Sequence, residues 1–461
     1  MATPSVPAAT PSAPPRRKRR TLFLGFAFIL GGSLIAFVIG AAVMFFQWPP
    51  SEFLEKAFVG VRAIYERAEI PTPDRNTDLP SVSANVDKAD KTADGYMLVT
   101  LAATNGDSNQ AFLLDMKNKV KHRWGVPFSK VWPRPEHVPT PVKDNLVSFF
   151  SCHLHPNGDL LVVMHGLQQT AVGYGLVKLD KESNILWSHA AGVHHDIDVD
   201  PEGNIYAAQH EMVKSMPKGL EFIPTPCLAD SLIVLNPDGT PKGKPVPLLE
   251  AFRDSPYAEL LRGLEPGKLK TDHPGPVSLK RFEDETRKQD SLHTNTVQYL
   301  TAAMAQQIPG AKAGQVLITL RNLDAIAVVD LNERKVVWAA RGPWQALHDA
   351  QVLDNGNVLL FDNQGIPRGS RVLEYNPRTQ AFPWSYSGEN MGAFVSTERG
   401  MCQRFANGNT LIVNSWDGEI FEVTREKEVV WAYAPHKFIA FAKRYTPDQV
   451  AFLPAGSKPR P

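Results

Sequence analysis

Along most of the chain the apolar residues come in short runs rather than helical stripes. Leu160–Met164, Leu232–Leu235, Val316–Leu320, Ala325–Val329, Val358–Phe361, Leu411–Val413 and Val429–Tyr433 are separated by Gly, Asn, Asp and Pro. Such runs predict β-strands joined by tight turns. Two stretches break the pattern. Thr21–Phe46 is apolar throughout, and Ser51–Ile70 places Leu54, Phe58, Val61 and Tyr65 at helical spacing.

The strands repeat as units. One turn recurs as Pro156-Asn157-Gly158-Asp159, Pro201-Glu202-Gly203-Asn204, Asp354-Asn355-Gly356-Asn357 and Ala406-Asn407-Gly408-Asn409. A second recurring element is a terminal strand bearing tryptophan, at Trp124, Trp187, Trp338 and Trp431, with Trp384 in a similar place. Together they divide the chain into six units, at residues 95–128, 150–190, 194–248, 293–342, 346–388 and 399–434. Four short antiparallel strands in a unit of this length predict an all-β, six-bladed propeller over residues 95–435, its tryptophans packed between blades. A pair of β-sandwiches is the other fold considered, and it leaves the repeated turn unexplained. Residues 241–290 read as an insertion between the third and fourth units, either a lid or a solvated excursion, and residues 436–461 as a C-terminal tail.

Thr21–Phe46, as a helix, would span about 39 Å, enough to cross a bilayer. Arg16-Arg17-Lys18-Arg19-Arg20 precedes it, so the positive-inside rule keeps the N-terminus in the cytoplasm. The expected order is a disordered basic tail (1–20), a single N-terminal transmembrane helix (21–46), a juxtamembrane helix and Pro-rich linker (47–94), then the propeller outside the cytoplasm. A cleaved signal peptide fits less well, because the apolar run is long and no small-x-small cleavage site follows it.

The net charge of +1 conceals an asymmetry, since all five charges of residues 1–46 are basic and the remainder carries 44 basic against 48 acidic residues. No basic field or Lys/Arg-interleaved aromatic run is present to hold a nucleic acid. Cys152, Cys227 and Cys402 form no CxxC pair, which argues against a zinc knuckle or redox couple. One disulfide or buried thiols both remain open. There is no phosphate loop, Rossmann fingerprint or GxSxG elbow, so neither a nucleotide cofactor nor a serine nucleophile is expected.

Histidines carry the candidate chemistry. His195 and His348 occupy the same slot, eight residues before the turn glycines Gly203 and Gly356. His293 opens the fourth unit as Leu292-His293-Thr294-Asn295. Three histidines from blade-opening strands should converge on the central channel. Of the other ten, His194 should face away from its neighbour because strand side chains alternate. His122, His137, His189, His273 and His436 read as structural or exposed, and His153, His155, His165 and His210 as structural. Three histidines suggest zinc. Arg321, in the next strand of the fourth unit, favours an anion instead, because guanidinium matches a tetrahedral oxyanion with paired donors. Arg399, opening the last unit, adds to that charge. Asp196-x-Asp198-x-Asp200 lacks the glycine of a calcium loop, Pro201 standing in its place. No metal is expected.

At these residues the chain resembles the bacterial arylsulfotransferases, six-bladed propellers that move a sulfuryl group between phenols without a nucleotide donor. The resemblance rests on His293–Asn295, on Leu317–Asn322 with Arg321, on His348–Asn363 and on His194–Tyr206, and extends loosely over 95–445. It implies that His348 is the nucleophile and that His195, His293, Asn295 and Arg321 bind and polarise the sulfuryl oxygens; Arg399, outside the matched motifs, is expected as a further substrate contact from its charge and its place opening the last unit. It also implies aryl sulfates and phenols as partners and no cofactor; the N-terminal apolar run, which departs from the soluble periplasmic members, adds the expectation of a catalytic domain anchored in a bacterial inner membrane and facing the periplasm. A non-catalytic, membrane-anchored propeller that binds a ligand or protein partner is the alternative.

Overall fold

The computed structural model describes residues 88–102, 109–138, 143–166, 173–264, 290–366, 369–389 and 392–453. The expected tail, transmembrane helix and juxtamembrane helix lie outside these residues, as does His273. Among the described residues no helix is long and apolar enough to cross a membrane.

Six four-stranded antiparallel sheets are arranged as the blades of a propeller. Their innermost strands are Ile439–Tyr445 (blade one), Val147–Leu154 (two), Val193–Val199 (three), Thr294–Tyr299 (four), His348–Val352 (five) and Met401–Arg404 (six), each touching the next around a central axis. Carboxylate and amide side chains latch these strands together. Asp196 Oδ2 accepts from the Val297 N–H at 3.2 Å, and Asp198 from that of Tyr299 at 2.8 Å. Gln298 takes the Val352 N–H, Asp349 that of Cys402, and Gln403 that of Arg444. Asp200 instead holds the turn, accepting from Asn204 and the Tyr206 hydroxyl. The acidic run is thus spent on joining blades and closing a turn.

Tryptophans of the outer strands pack against the next blade as the repeat predicted. Indole N–H groups donate to a neighbouring blade's turn or strand end: Trp124 to Gly158, Trp187 to Pro237, Trp384 to Arg425 and Trp431 to Met116. Trp431 is completely buried and joins blade six to blade one. Trp431→Ala should therefore cost about 3–5 kcal/mol, the usual loss for deleting a buried aromatic ring. Denaturant unfolding of the variant would check this, and a change under about 1 kcal/mol would contradict it.

Two expected boundaries are corrected. Ile439–Tyr445 is not tail: it pairs with Tyr96–Leu101 and supplies the inner strand of blade one, so the two ends of the propeller close one sheet. This leaves no unpaired sheet edge at the seam. The insertion, too, is partly blade. Val246–Pro247 pairs with Ser231–Leu232 as the outer strand of blade three, and Leu248, Leu249 and Phe252 of the helix that follows are buried against blades three and four. Residues 265–289 of the insertion lie outside the described residues. All three cysteines are buried and unpaired.

Candidate functional site

At one end of the channel the inner strands open irregularly. Pairing shifts between His194 and Ile197, Thr294 and Thr296, and His348 and Gln351. His195, His293 and Arg399 adopt left-handed backbones, with φ of 57°, 53° and 59°. Bulges re-aim side chains, and non-glycine residues at positive φ are held only where the surroundings impose them. One expectation fails here. His194 does not face away from His195, because the bulge interrupts alternation and sets their Nδ1 atoms 2.7 Å apart. His195 and His348, in equivalent slots, differ in backbone: His195 is left-handed, whereas beside His348 the left-handed residues are Ala346 and Asp349.

His348 is buried, and its Nδ1 faces two acceptors, the Ala346 carbonyl at 3.0 Å and Asn363 Oδ1 at 2.9 Å. Asn363's orientation is fixed independently, because its amide donates to the carbonyls of Ser396 and Arg399. Its oxygen must then face His348, so Nδ1 carries the proton and Nε2 holds a lone pair. Among the described residues no group bonds to that Nε2. Burial first, and then the nearby charges of Arg321, His293 and Arg399, hold His348 well below the ordinary histidine pKa. His348 is therefore neutral at neutral pH. Any activity that needs this lone pair should stay level from about pH 8 down through about 6.5, with its acid limb below the ordinary histidine range. A kcat/KM–pH profile checks this, and an acid limb at or above about 6.5 would contradict it.

His293 has a carboxylate partner, its Nδ1 lying 2.7 Å from Asp290 Oδ2. Burial works to raise Asp290, but His293 beside it carries the net shift below the usual carboxylate range. His293 itself is lowered, burial outweighing Asp290's pull. Its ring stands edge-on to His195 at 4.6 Å, and its carbonyl accepts the Arg321 N–H at 3.2 Å. Arg321 is buried, and its charge acts on both His293 and His348. The structure thus groups His195, His293, His348 and Arg321 from blades three, four and five.

Asn295 and Arg399 are placed otherwise than expected for substrate contacts. Asn295 donates to the Leu347 carbonyl at 2.9 Å and accepts from the Thr319 hydroxyl, tying blade four to the residue before His348. Arg399 donates from Nε to the Ala440 carbonyl and from Nη2 to that of Phe150, and stacks on the Phe150 ring at 4.0 Å. Its donors fasten neighbouring blades and, at 3.5 Å, also reach the His195 carbonyl, so it braces the site's backbone as well as adding charge there. Asn363 and Asp290 were not singled out from sequence, although one ends the His348 motif and the other precedes His293 by three residues. His165 and His210, read as structural, lie against this cluster, His165 edge-on to His195 and His210 stacked on His194.

Among the described residues, the group spaced to hold a metal ion is His194, His210 and Asp230, not the His195–His293–His348 set. His210 Nε2, however, already accepts the Gly173 N–H at 3.3 Å.

A model of the arylsulfotransferase (ASST) family matches residues 152–436. No curated protein matches the chain. Solved structures are similar at low identity. A protein of unknown function from Bacteroides caccae is 11% identical, with 76% of this chain and 98% of that one covered and a TM-score of 0.47. A streptogramin B lyase is 12% identical, covering 78% and 84%, with a TM-score of 0.39. Virginiamycin B lyase from Staphylococcus aureus is 10% identical, covering 76% and 86%, with a TM-score of 0.37.

Proposed function

Since the chain belongs to the arylsulfotransferase (ASST) family, we propose that it transfers a sulfuryl group from an aryl sulfate to a phenolic acceptor through a sulfonated His348. The observation that carries this reading is the tautomer lock on His348. Asn363 holds Nδ1–H, which leaves Nε2 as an uncharged lone pair directed by a rigid strand. A neutral nitrogen attacks sulfur and releases a phenolate, forming the N–S bond as the aryl O–S bond breaks. An acceptor phenol then takes the group from His348, giving its proton to a base. His293, aligned by Asp290, is placed for that proton, and Arg321 offsets the charge that builds on the sulfuryl and leaving oxygens. No metal or organic cofactor enters this scheme.

The proposal extends to location: Thr21–Phe46 would anchor the chain in a bacterial inner membrane, with the propeller in the periplasm. The deciding experiment incubates the purified full chain with 4-nitrophenyl sulfate and phenol. Release of nitrophenol together with phenyl sulfate supports transfer. Neither product appearing would leave a propeller that binds its ligand or partner without chemistry.

A further inference from the structure

His165, near the end of strand Leu160–Gly166 in blade two, borders the site and takes no part in the transfer scheme. It is 5% exposed, and neither of its ring nitrogens has a hydrogen-bond partner. The other histidines around the site each have a ring nitrogen engaged: His195 with His194, His293 with Asp290, His348 with Asn363 and His210 with the Gly173 N–H. Buried polar atoms are paired as a rule, so a buried imidazole with both nitrogens unpaired points to a missing partner. His165 is also outside the group spaced to hold a metal ion.

The ring itself is firmly placed. It lies flat on Phe150, with centroids 3.9 Å apart, and stands edge-on to His195 at 5.2 Å. The Arg399 guanidinium sits over the same Phe150 ring at 4.0 Å, and two groups this close must take opposite faces. Bulges build the arrangement. Pairing shifts between Phe149 and Ser151 on one strand, and between Met164 and His165 on the next. The displaced Phe150 is thereby turned toward Arg399 and His195.

Contact runs in series from Arg399 through Phe150, His165 and His195 to His293. His165 is therefore one histidine removed from the groups assigned to the reacting oxygen, and its nitrogens meet a different atom of the substrate. The Phe150 ring beside it offers no hydrogen bond, so a lone water there would lack the several partners that hold a buried water. An aromatic ring carrying a hydroxyl suits both features. Its ring packs against rings, and its hydroxyl both donates and accepts, so it can pair with an imidazole nitrogen in either tautomer.

We infer that His165 selects aromatic acceptors bearing a second hydroxyl group. The phenolic oxygen that takes the sulfuryl group faces His348 and His293, and the further hydroxyl on the same ring bonds His165. This deepens the sulfuryl-transfer reading and rests on it.

A comparison of acceptors tests the assignment. The purified full chain is given 4-nitrophenyl sulfate with phenol, with catechol, resorcinol or hydroquinone, and with the methylphenol that matches each of the three. At least one dihydroxybenzene should exceed its methylphenol by roughly tenfold or more in kcat/KM, the scale of one buried hydrogen bond. His165→Phe, which keeps a flat ring on Phe150, should bring that ratio close to one. The variant should also unfold at a temperature no lower than the wild type, because an apolar ring replaces an unpaired polar one. His165→Leu takes its place if phenylalanine overpacks the site. No preference in the wild type, or an equal preference in the variant, overturns the assignment and leaves transfer to phenol standing. Unfolding well below the wild type in both variants makes His165 a structural residue and overturns it too. No transfer to any acceptor removes the sulfuryl reading and this inference with it.

Discussion

His348→Asn should abolish sulfuryl transfer while the propeller stays folded. Asparagine can keep a donor near Asn363 Oδ1 and the Ala346 carbonyl, so the local strand loses little, but it has no second ring nitrogen to attack sulfur. The expected fall in kcat is on the order of 10⁶-fold, the scale seen when covalent catalysis loses its nucleophile. Intact-mass measurement after brief exposure to an aryl sulfate should show one added sulfuryl group on the wild type and none on the variant, with the adduct mapping to His348. An adduct on His195 or His293 would keep the reaction and change the nucleophile. Wild-type turnover in the variant, with no adduct on either protein, would end the covalent route.

The asparagine–histidine lock behind that expectation shows what sequence can and cannot disclose. The propeller was legible because its information is local: four of the six blades repeat a glycine turn, where Gly158, Gly203, Gly356 and Gly408 all sit at positive φ, and most blades end in a strand with tryptophan. Ile439–Tyr445 was less legible as blade because it carries neither mark and finds its partner at the far end of the domain, at Tyr96–Leu101. His195, His293 and His348 could be picked out since repeat position brings blade openings to one axis, and Arg321 as a cation in the strand next to His293's. Their conformations could not. The bulge at His194–Ile197 depends on register against Ala207 and Ala208, and it overturns the alternation that predicted opposite faces for the two histidines. Arg399 shows the same limit. An arginine opening a blade reads as a cation for a ligand, but backbone carbonyls distant in sequence, those of Phe150, Ala440 and His195, take its donors. Residues that act through others, such as Asn363 and Asp290, have no pattern of their own and appear only once their partners are in place.

Arg321→Ala should slow transfer by roughly 100–1000-fold, the usual loss when a donor aimed at a developing oxyanion is removed. Arg321 opens the short 3-10 turn Arg321–Leu323 at the end of strand Val316–Leu320, and its backbone N–H is fixed to the His293 carbonyl. The guanidinium is therefore carried by a rigid strand end, buried where its charge is weakly screened. That same charge is, after burial, the first cause holding the His348 pKa down. Removing it must let the His348 pKa rise toward the ordinary histidine value. The variant's acid limb should accordingly move to higher pH, so that activity falls earlier on acidification than in the wild type. The two effects together separate a cation acting on the reacting group from one that merely supports the fold. A folded Arg321→Ala protein with near-normal kcat and an unmoved acid limb would remove Arg321 from the site.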